Sequence, residues 1–503
     1  MQRIYKNTII GFGLFIFAFT GKLVAQNAPS NVTRPSVSQV FSPGSYQAGQ
    51  INFIRTWEIK YPTADINAVK STSRSVAEVF RTTEYLDGLG RTIQTVTKQT
   101  SPSGKDIVRI THYDSVGREQ YSFAPYVPKN GNNNDGFFKS DAFAAQRQFY
   151  QDISLNPGVA GESTFYGQTE YEKSMLNRQN RLYSPGDSWA KFGGNHPTIS
   201  TYAVNVVSDS VRLWTIGSAV TPTSTGFYPA RTLKKMIVTD PNGRQVVEYK
   251  DMDDLLVLRK VQVTSNPGNA HTGWACTYYV YDALRNLRFV IQPRGVEIIR
   301  SNWSLTSSVI TEQCFIYRYN ARKQIIVEKI PGADSIEYVY NKHDKIALWR
   351  DGNLKETGRW KVFRYDGQGR EILKALLTFN YTRAQWEEHF RVYPYSDTSA
   401  IPVGTDGNLF PLVYTYYDDY NFQGKSNYDP TDIGKVLAGS NPYAEVLPTS
   451  PSTNTRGLKT GERIRVELLD VWLTTTFYYD KKDRATQVIK DNIARKNYHK
   501  YAI

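Results

Sequence analysis

The hydrophobic pattern of this chain is that of β-strands. Between Cys276 and Asp282, Thr277, Tyr279 and Tyr281 fall on one face and Cys276, Tyr278 and Val280 on the other. Phe315, Tyr317 and Tyr319 repeat the stripe, as do Tyr338 with Tyr340 and Phe363 with Tyr365. Each stripe runs into an Asp or Asn, whose side chain caps a turn, and a second apolar strand follows. Gly90, Gly117, Gly243 and Gly369 stand where a short hairpin loop needs a positive φ. Arg91, Arg118, Arg244 and Arg370 follow those glycines, placed either to pair with the turn Asp or to lie over a tyrosine ring. The predicted unit is a β-hairpin with an aromatic stripe. One such hairpin is marginal in water, so neighbours must pair edge to edge.

The unit recurs. It stands at Tyr85, Asp87, Gly90 and Arg91, at Tyr113, Asp114, Gly117 and Arg118, and at Tyr365, Asp366, Gly369 and Arg370. Looser copies surround Tyr281 with Asp282, Tyr319, Tyr340, and Tyr479 with Asp480, and a relative without the tyrosine covers Lys235–Glu248. The tyrosines at 319, 340 and 365 are 21 and 25 residues apart, a spacing typical of repeat arrays.

Tyr113–Arg118 (YDSVGR) and Tyr365–Arg370 (YDGQGR) resemble the YD repeats of RHS and teneurin-like proteins, and Tyr85–Arg91 (YLDGLGR) does so with one inserted residue. The region from about Ile51 to Ser200, with Ala124-Pro125-Tyr126 and Ser174–Arg178 (SMLNR), resembles the domain of unknown function that opens many secreted bacterial RHS proteins. The resemblance implies a mainly β fold, an array of antiparallel hairpins in a spiralling sheet forming part of a shell, with one or two short helices. It also implies that the C-terminal RHS core and toxin are absent. In that family the shell encloses a C-terminal polypeptide, so the implied partners are such an effector or the remaining shell segments.

The expected organisation is a signal peptide over 1–26, an extended arm over 27–50, an RHS-associated domain over 51–205 and the repeat array over 206–503. Arg3 and Lys6 precede an apolar run, Ile9–Phe19, and small residues follow at Val24 and Ala25. That is the order of a secretory signal, with cleavage beside Ala25. The run is shorter than the ~20 residues that span a bilayer. The expected location is therefore secreted or at the cell surface, with no membrane span after cleavage. One segment breaks the β pattern: Lys139–Asp152 has Ala142, Phe143, Gln146, Phe149 and Tyr150 at helical spacing, with Ser140 or Asp141 to cap it. Its expected role is that of a surface or plugging helix rather than a partner-binding one. Thr382–Phe390 reads as a second short helix.

Composition agrees with strands: 35 Tyr, 23 Phe and 9 Trp suit half-buried pleated surfaces. The net charge of +14 is spread among acidic neighbours, without a basic stripe or groove-reading motif, which argues against nucleic acid and leaves an acidic partner or glycan open. Cys276 and Cys314 both stand five residues before a repeat tyrosine. In a simple meander one return strand separates them, about 9.5 Å across two spacings, beyond the ~7 Å limit for a bridge. Two free, buried thiols are expected, unless the insert from Pro293 to Thr311 alters the pairing.

The search for chemistry finds little. His112, His196, His271, His343, His389 and His499 show no metal-ligand spacing. Lys129–Gly136 lacks the alternating carboxylates of a calcium loop. Asp240-Pro241-Asn242-Gly243 has the form of the D-P-x-G motif of the RHS core protease, but it stands alone, whereas such catalysis needs paired aspartates. The expected function is a non-enzymatic structural or interaction protein without cofactor. The alternative is a carbohydrate-binding or adhesion module, with Trp274, Trp303 and Trp360 stacking on surface glycans.

Overall fold

The structure, a computed structural model, describes residues 34–46, 51–60, 63, 65–71, 74–217, 220–393, 409–431, 448–467, 469–491 and 499–501. The expected signal peptide lies outside them. The chain forms two compact units, Met1–Lys60 with Asp65–Pro197, and Tyr61–Ala64 with Thr198–Ile503.

The first unit carries β1 (Asn52–Ile59), β2 (Val79–Leu86), β3 (Thr92–Thr97), β4 (Ile107–Tyr113), β5 (Glu119–Phe123), β6 (Tyr166–Tyr171) and β7 (Gln179–Tyr183). Each strand pairs antiparallel with the next in sequence. Between β1 and β2 lies a short helix, α1 (Ile66–Lys70), and between β5 and β6 lies α2 (Ala142–Gln151). Ala142, Phe143, Ala145 and Gln146 of α2 are buried, and Phe143 joins Tyr85, Val96, Val108, Ile110 and Tyr126 in one core. The helix thus covers the sheet, as its spacing predicts. Asp141 precedes it without a side-chain cap bond. Residues 34–46, expected as part of an extended arm, are docked: Phe41 stacks on Tyr121 at 3.7 Å between centroids, and the Tyr46 N–H donates to the Ser140 carbonyl. Asp106 and Lys139 form a buried pair at 2.8 Å, Lys139 also binds Asp135 at 2.8 Å, and Asp106 accepts from the Gln99 and Gly136 N–H groups.

The second unit is a longer ribbon. It begins with β8 (Thr198–Val204), and β9 (Arg212–Thr215) and β10 (Thr223–Phe227) form a separate small ribbon. There follow β11 (Lys234–Thr239), β12 (Gln245–Lys250), β13 (Leu256–Gln262), β14 (Trp274–Tyr281), β15 (Leu287–Ile291), β16 (Cys314–Tyr319), β17 (Ile325–Lys329), β18 (Ile336–Tyr340) and β19 (Ile346–Arg350). The series continues with β20 (Arg359–Tyr365), β21 (Glu371–Thr378), β22 (Leu409–Asp418), β23 (Thr455–Val466), β24 (Val471–Tyr479), β25 (Ala485–Lys490) and β26 (His499–Tyr501). β8 pairs with β11, and from β11 onward each strand pairs antiparallel with its successor.

One face of this ribbon is buried. Cys276, Tyr278, Val280, Phe289, Ile291 and Cys314 form a core with Val211 and Trp214 of the small ribbon. Over it lie α3 (Pro293–Ile299) and α4 (Ser307–Gln313), both within the long insert after β15. Gly295 lets α3 approach: a Cβ there would meet the Gln313 Cβ at 2.9 Å and the Ile291 Cγ2 at 3.2 Å. A second core gathers Leu348, Trp360, Val362, Leu373, Ala375 and Leu377 beneath Trp386 and Phe390 of α6 (Arg383–Val392). The helix α5 (Gly352–Glu356) starts at Asp351, whose side chain accepts from the Leu354 N–H. The fold is mainly β, and the described residues hold six short α-helices where one or two were expected. The four additional ones are single-turn or two-turn pieces, α1, α4 and α5 set by local caps at Asp65, Thr306 and Asp351 and α3 opened by Pro293, all too short to show a periodic stripe.

Both cysteines are free and buried. Tyr278 faces Ile291 and Ile291 faces Cys314, so Cys276 and Cys314 lie two strand spacings and two residues apart. The insert leaves the pairing of β15 with β16 intact. Burial pushes the Cys276 thiol up to about 11 and the Cys314 thiol up to about 12.

Candidate functional site

The structural feature that repeats is the turn. At Asp87, Asp114, Asp240, Asp251, Asp282, Asn320, Asn341, Asp366 and Asp480 one side-chain oxygen accepts from the N–H groups two and four residues on, at 2.8–3.0 Å. The residue three positions on has positive φ. It is Gly90, Gly117, Gly243 or Gly369 in some turns and Asp254, Arg285, Lys323, Asp344 or Asp483 in the others. The left-handed residue therefore need not be glycine, which explains how the looser copies keep the loop.

Arginine fills both roles expected of it. The Nε of Arg91, Arg118, Arg370 and Arg484 donates to its own turn carboxylate at 2.7–2.8 Å. The same guanidinium then lies over the tyrosine of the next hairpin: Arg91 over Tyr113 at 4.3 Å, Arg118 over Tyr171 at 4.8 Å and Arg370 over Tyr417 at 4.4 Å. Where Asn286 stands in place of the arginine, Arg288 reaches Asp282 at 3.5 Å instead.

The tyrosines close the link from the other side. The hydroxyl of Tyr113 donates to the Thr92 carbonyl, Tyr171 to Glu119, Tyr281 to Leu256, Tyr319 to Leu287, Tyr340 to Ile325, Tyr365 to Ile346 and Tyr479 to Lys459, at 2.7–3.2 Å. In all but the last, the acceptor is the first residue after the preceding turn. Within each unit the hydroxyls thus staple hairpin to hairpin along one rim, and at Tyr113 and Tyr171 a guanidinium adds to the staple.

Electrostatics follow from this geometry. The backbone N–H of Arg91 and then its guanidinium hold Asp87 below the usual carboxylate range. Burial works against Asp114, Asp282, Asp366 and Asp480, yet the N–H bonds and cations at each turn leave all four lowered. These carboxylates are consumed in holding loops.

Several expected positions are corrected. Tyr85 does not take the repeat position: the inserted Leu86 occupies it, so Tyr85 turns to the opposite face and is 4% exposed in the core. Asp87, Gly90 and Arg91 form the ordinary turn regardless. Asp240 belongs to the opposite rim, between β11 and β12, with no tyrosine staple, and its Oδ1 is an ordinary turn cap. Trp360 is fully buried beneath the Arg350 guanidinium, and Trp274 and Trp303 pack against a core. Two members of the series escaped the motif search. Asp251 follows Lys250 rather than a tyrosine, and Tyr171 heads a longer turn in which Glu172 binds Arg178 through both carboxylate oxygens. The Asp two residues after Tyr249 and the Glu-to-Arg spacing were the available signals.

The second unit also has a cleft of about 700 Å³, lined by Arg322, Tyr338, Lys342, Arg383, Glu387 and Arg391 among others. Arg383 binds Glu387 and Arg391 binds Glu388, so much of its charge is internally paired. No group of carboxylates, histidines and cysteines among the described residues is arranged to hold a metal ion.

Residues 55–204 match a domain of unknown function (DUF6443). No curated protein matches the sequence. Among solved structures, that of TcdB2-TccC3 aligns with a TM-score of 0.43 and 12% identity, over 82% of this chain and 18% of the other. TcdB2-TccC3-TEV gives 0.40 and 11%, over 85% and 21%. A Tc holotoxin pore from Photorhabdus luminescens gives 0.38 and 12%, over 84% and 21%. The chain thus spans about a fifth of the length of the structures it matches.

Proposed function

We propose that this chain is an exported, non-enzymatic structural protein of the RHS/YD-repeat kind, the N-terminal part of a β-shell that encloses a C-terminal effector. The observation that carries the reading is the staple. Tyrosine hydroxyls tie hairpin after hairpin to a carbonyl of the one before, and at Arg91, Arg118 and Arg370 the turn arginine also lies over a tyrosine of the next, a device suited to extending a wall one hairpin at a time. The turn carboxylates support a non-catalytic role, because each is occupied by N–H donors and most by a cation. One face of the wall is a packed core, and the other carries Tyr281, Tyr319, Tyr340, Tyr365 and Tyr479, half-buried. Arg3, Lys6 and the apolar run after them support export.

The test is the size and place of the native product, detected with an antibody to residues 50–200 in secreted, envelope and cytoplasmic fractions. A band well above 57.3 kDa in the secreted or envelope fraction is expected. A band near that mass, less its signal, would remove the shell-segment reading and favour adhesion. A purely cytoplasmic product would remove export.

A further inference from the structure

The staples bring together three hairpin ends of the first unit. β2, β4 and β6 run in one direction and β3, β5 and β7 return, so the turns after β2, β4 and β6 emerge on the same rim. They are in direct contact with one another. The Arg91 side chain lies 2.8 Å from where a Cβ of Gly117 would stand, and an Arg118 Nη1 donates to the Glu172 carbonyl at 3.4 Å. At the apex of each turn stands an aliphatic side chain: Leu89 is 78% exposed, Val116 68%, Met175 97% and Leu176 69%. A Cβ built on Gly88 or Gly90 would meet nothing within 4 Å, so the first tip stands free.

The corresponding turns of the second unit are mostly polar at their apices, Asn242, Arg322, His343, Gln368 and Lys482, with Leu284 and, beside Asp253, Met252 the exceptions. Local folding does not require aliphatic apices, since the same turn forms with either kind. An aliphatic side chain left in water forgoes the free energy of burial, and a cluster of them marks a contact surface.

We propose that this rim of the first unit docks on a lipid surface of little net charge, with Leu89, Val116, Met175 and Leu176 entering the headgroup region. The tips are two strand spacings apart, roughly 9.6 Å, so three of them reach across about 19 Å. They are narrow hairpin ends standing side by side. A folded partner would need a separate pocket for each, whereas a fluid interface takes up several protruding aliphatics at once. Arg91, Arg118 and Arg178 at the same rim are bonded to Asp87, Asp114 and Glu172, which leaves the exposed Lys173 and a net charge of about +1 on the three tips. Attachment to neutral headgroups, insensitive to salt, follows. This inference stands whether or not the chain is part of a shell.

Co-sedimentation of the full mature chain with phosphatidylcholine vesicles tests it. The wild type is expected to bind equally in low and high salt. The combined variant Leu89→Asp, Val116→Asp, Met175→Asp should lose affinity by roughly 10-fold or more, with its circular dichroism unchanged because all three side chains lie in solvent. The variant Gln368→Asp, at a polar apex, should bind as the wild type. Absence of wild-type binding, or equal binding by the rim variant, overturns the proposal. So does a wild-type dimer that the rim variant converts to monomer, for then a second copy covers the rim.

Discussion

If the turn is held chiefly by its bonds to the backbone, replacing Asp366 by asparagine and by alanine must have very different costs. The Oδ1 of Asp366 accepts from the N–H groups of Gln368 and Arg370, each at 2.9 Å, and the Oδ2 accepts from the Arg370 Nε at 2.7 Å. Asparagine keeps the first oxygen and removes the charge. Arg370 remains bound to Asp418 and stacked on Tyr417, so its charge keeps a carboxylate partner and the lost bond costs about 1 kcal/mol at most. Asp366→Asn should therefore cost less than ~1 kcal/mol. Alanine removes both backbone bonds as well, each worth about 1 kcal/mol, so Asp366→Ala should cost roughly 2–3 kcal/mol. The backbone half of the turn already occurs with asparagine, since Asn320 and Asn341 hold their loops with the same two bonds, with Gln324 and Lys345 where Arg370 stands. Urea unfolding followed by tyrosine and tryptophan fluorescence separates the two values. Equal costs within ~0.5 kcal/mol would show that the ion pair, not the backbone capping, holds the loop. The acid limb gives a second reading. Burial alone would raise the Asp366 pKa, yet the Arg370 N–H and guanidinium leave it lowered. Its contribution is therefore fully present above about pH 4 and is lost as pH falls through the lower folded value, and Asp366→Asn should flatten that loss.

Other outcomes follow from the cores. Asp106→Ala would leave Lys139 with Asp135 as its carboxylate partner but strip the Gln99 and Gly136 N–H groups of their acceptor, so a loss of about 2–4 kcal/mol is expected in urea unfolding of the first unit. Burial, with Lys260, Arg212 and Arg300 nearby, lowers the His271 pKa to about 4, and its Nε2 lies 2.7 Å from the Tyr278 hydroxyl. The imidazole should stay neutral to well below pH 6 in an NMR titration; its stabilising effect is complete above about pH 6.5 and disappears toward pH 4. Cys276 and Cys314 should resist iodoacetamide in the native protein at pH 8 and both react once it is unfolded. Migration should be the same with and without reductant. Gly117→Ala meets both a φ of +85° and the Arg91 guanidinium, so it should cost more than Gly369→Ala, whose added Cβ would meet only the Lys345 Cε, at 3.8 Å, as judged by thermal unfolding.

What the sequence determined by itself was the turn and the alternation on either side of it. A turn aspartate reaches N–H groups only two and four residues away, so its bonds are written in five consecutive residues and survive changes elsewhere. Alternation likewise placed Cys276, Tyr278 and Val280 together on the buried face. Only the tertiary structure decided what spans two hairpins. The partner of each tyrosine hydroxyl lies between 15 and 52 residues away, and the tyrosine ring beneath each arginine belongs to another strand. Tyr85 shows the limit most directly. The motif located its turn, but one inserted residue reversed the face of the side chain, because register across a strand pair is fixed by neighbours that a short motif does not contain. The burial of Trp360 under α6 and the alignment of Leu89, Val116 and Met175 on one rim depend in the same way on which elements meet. Local hydrogen bonds specify the unit; the order and direction of the strands specify which units become neighbours.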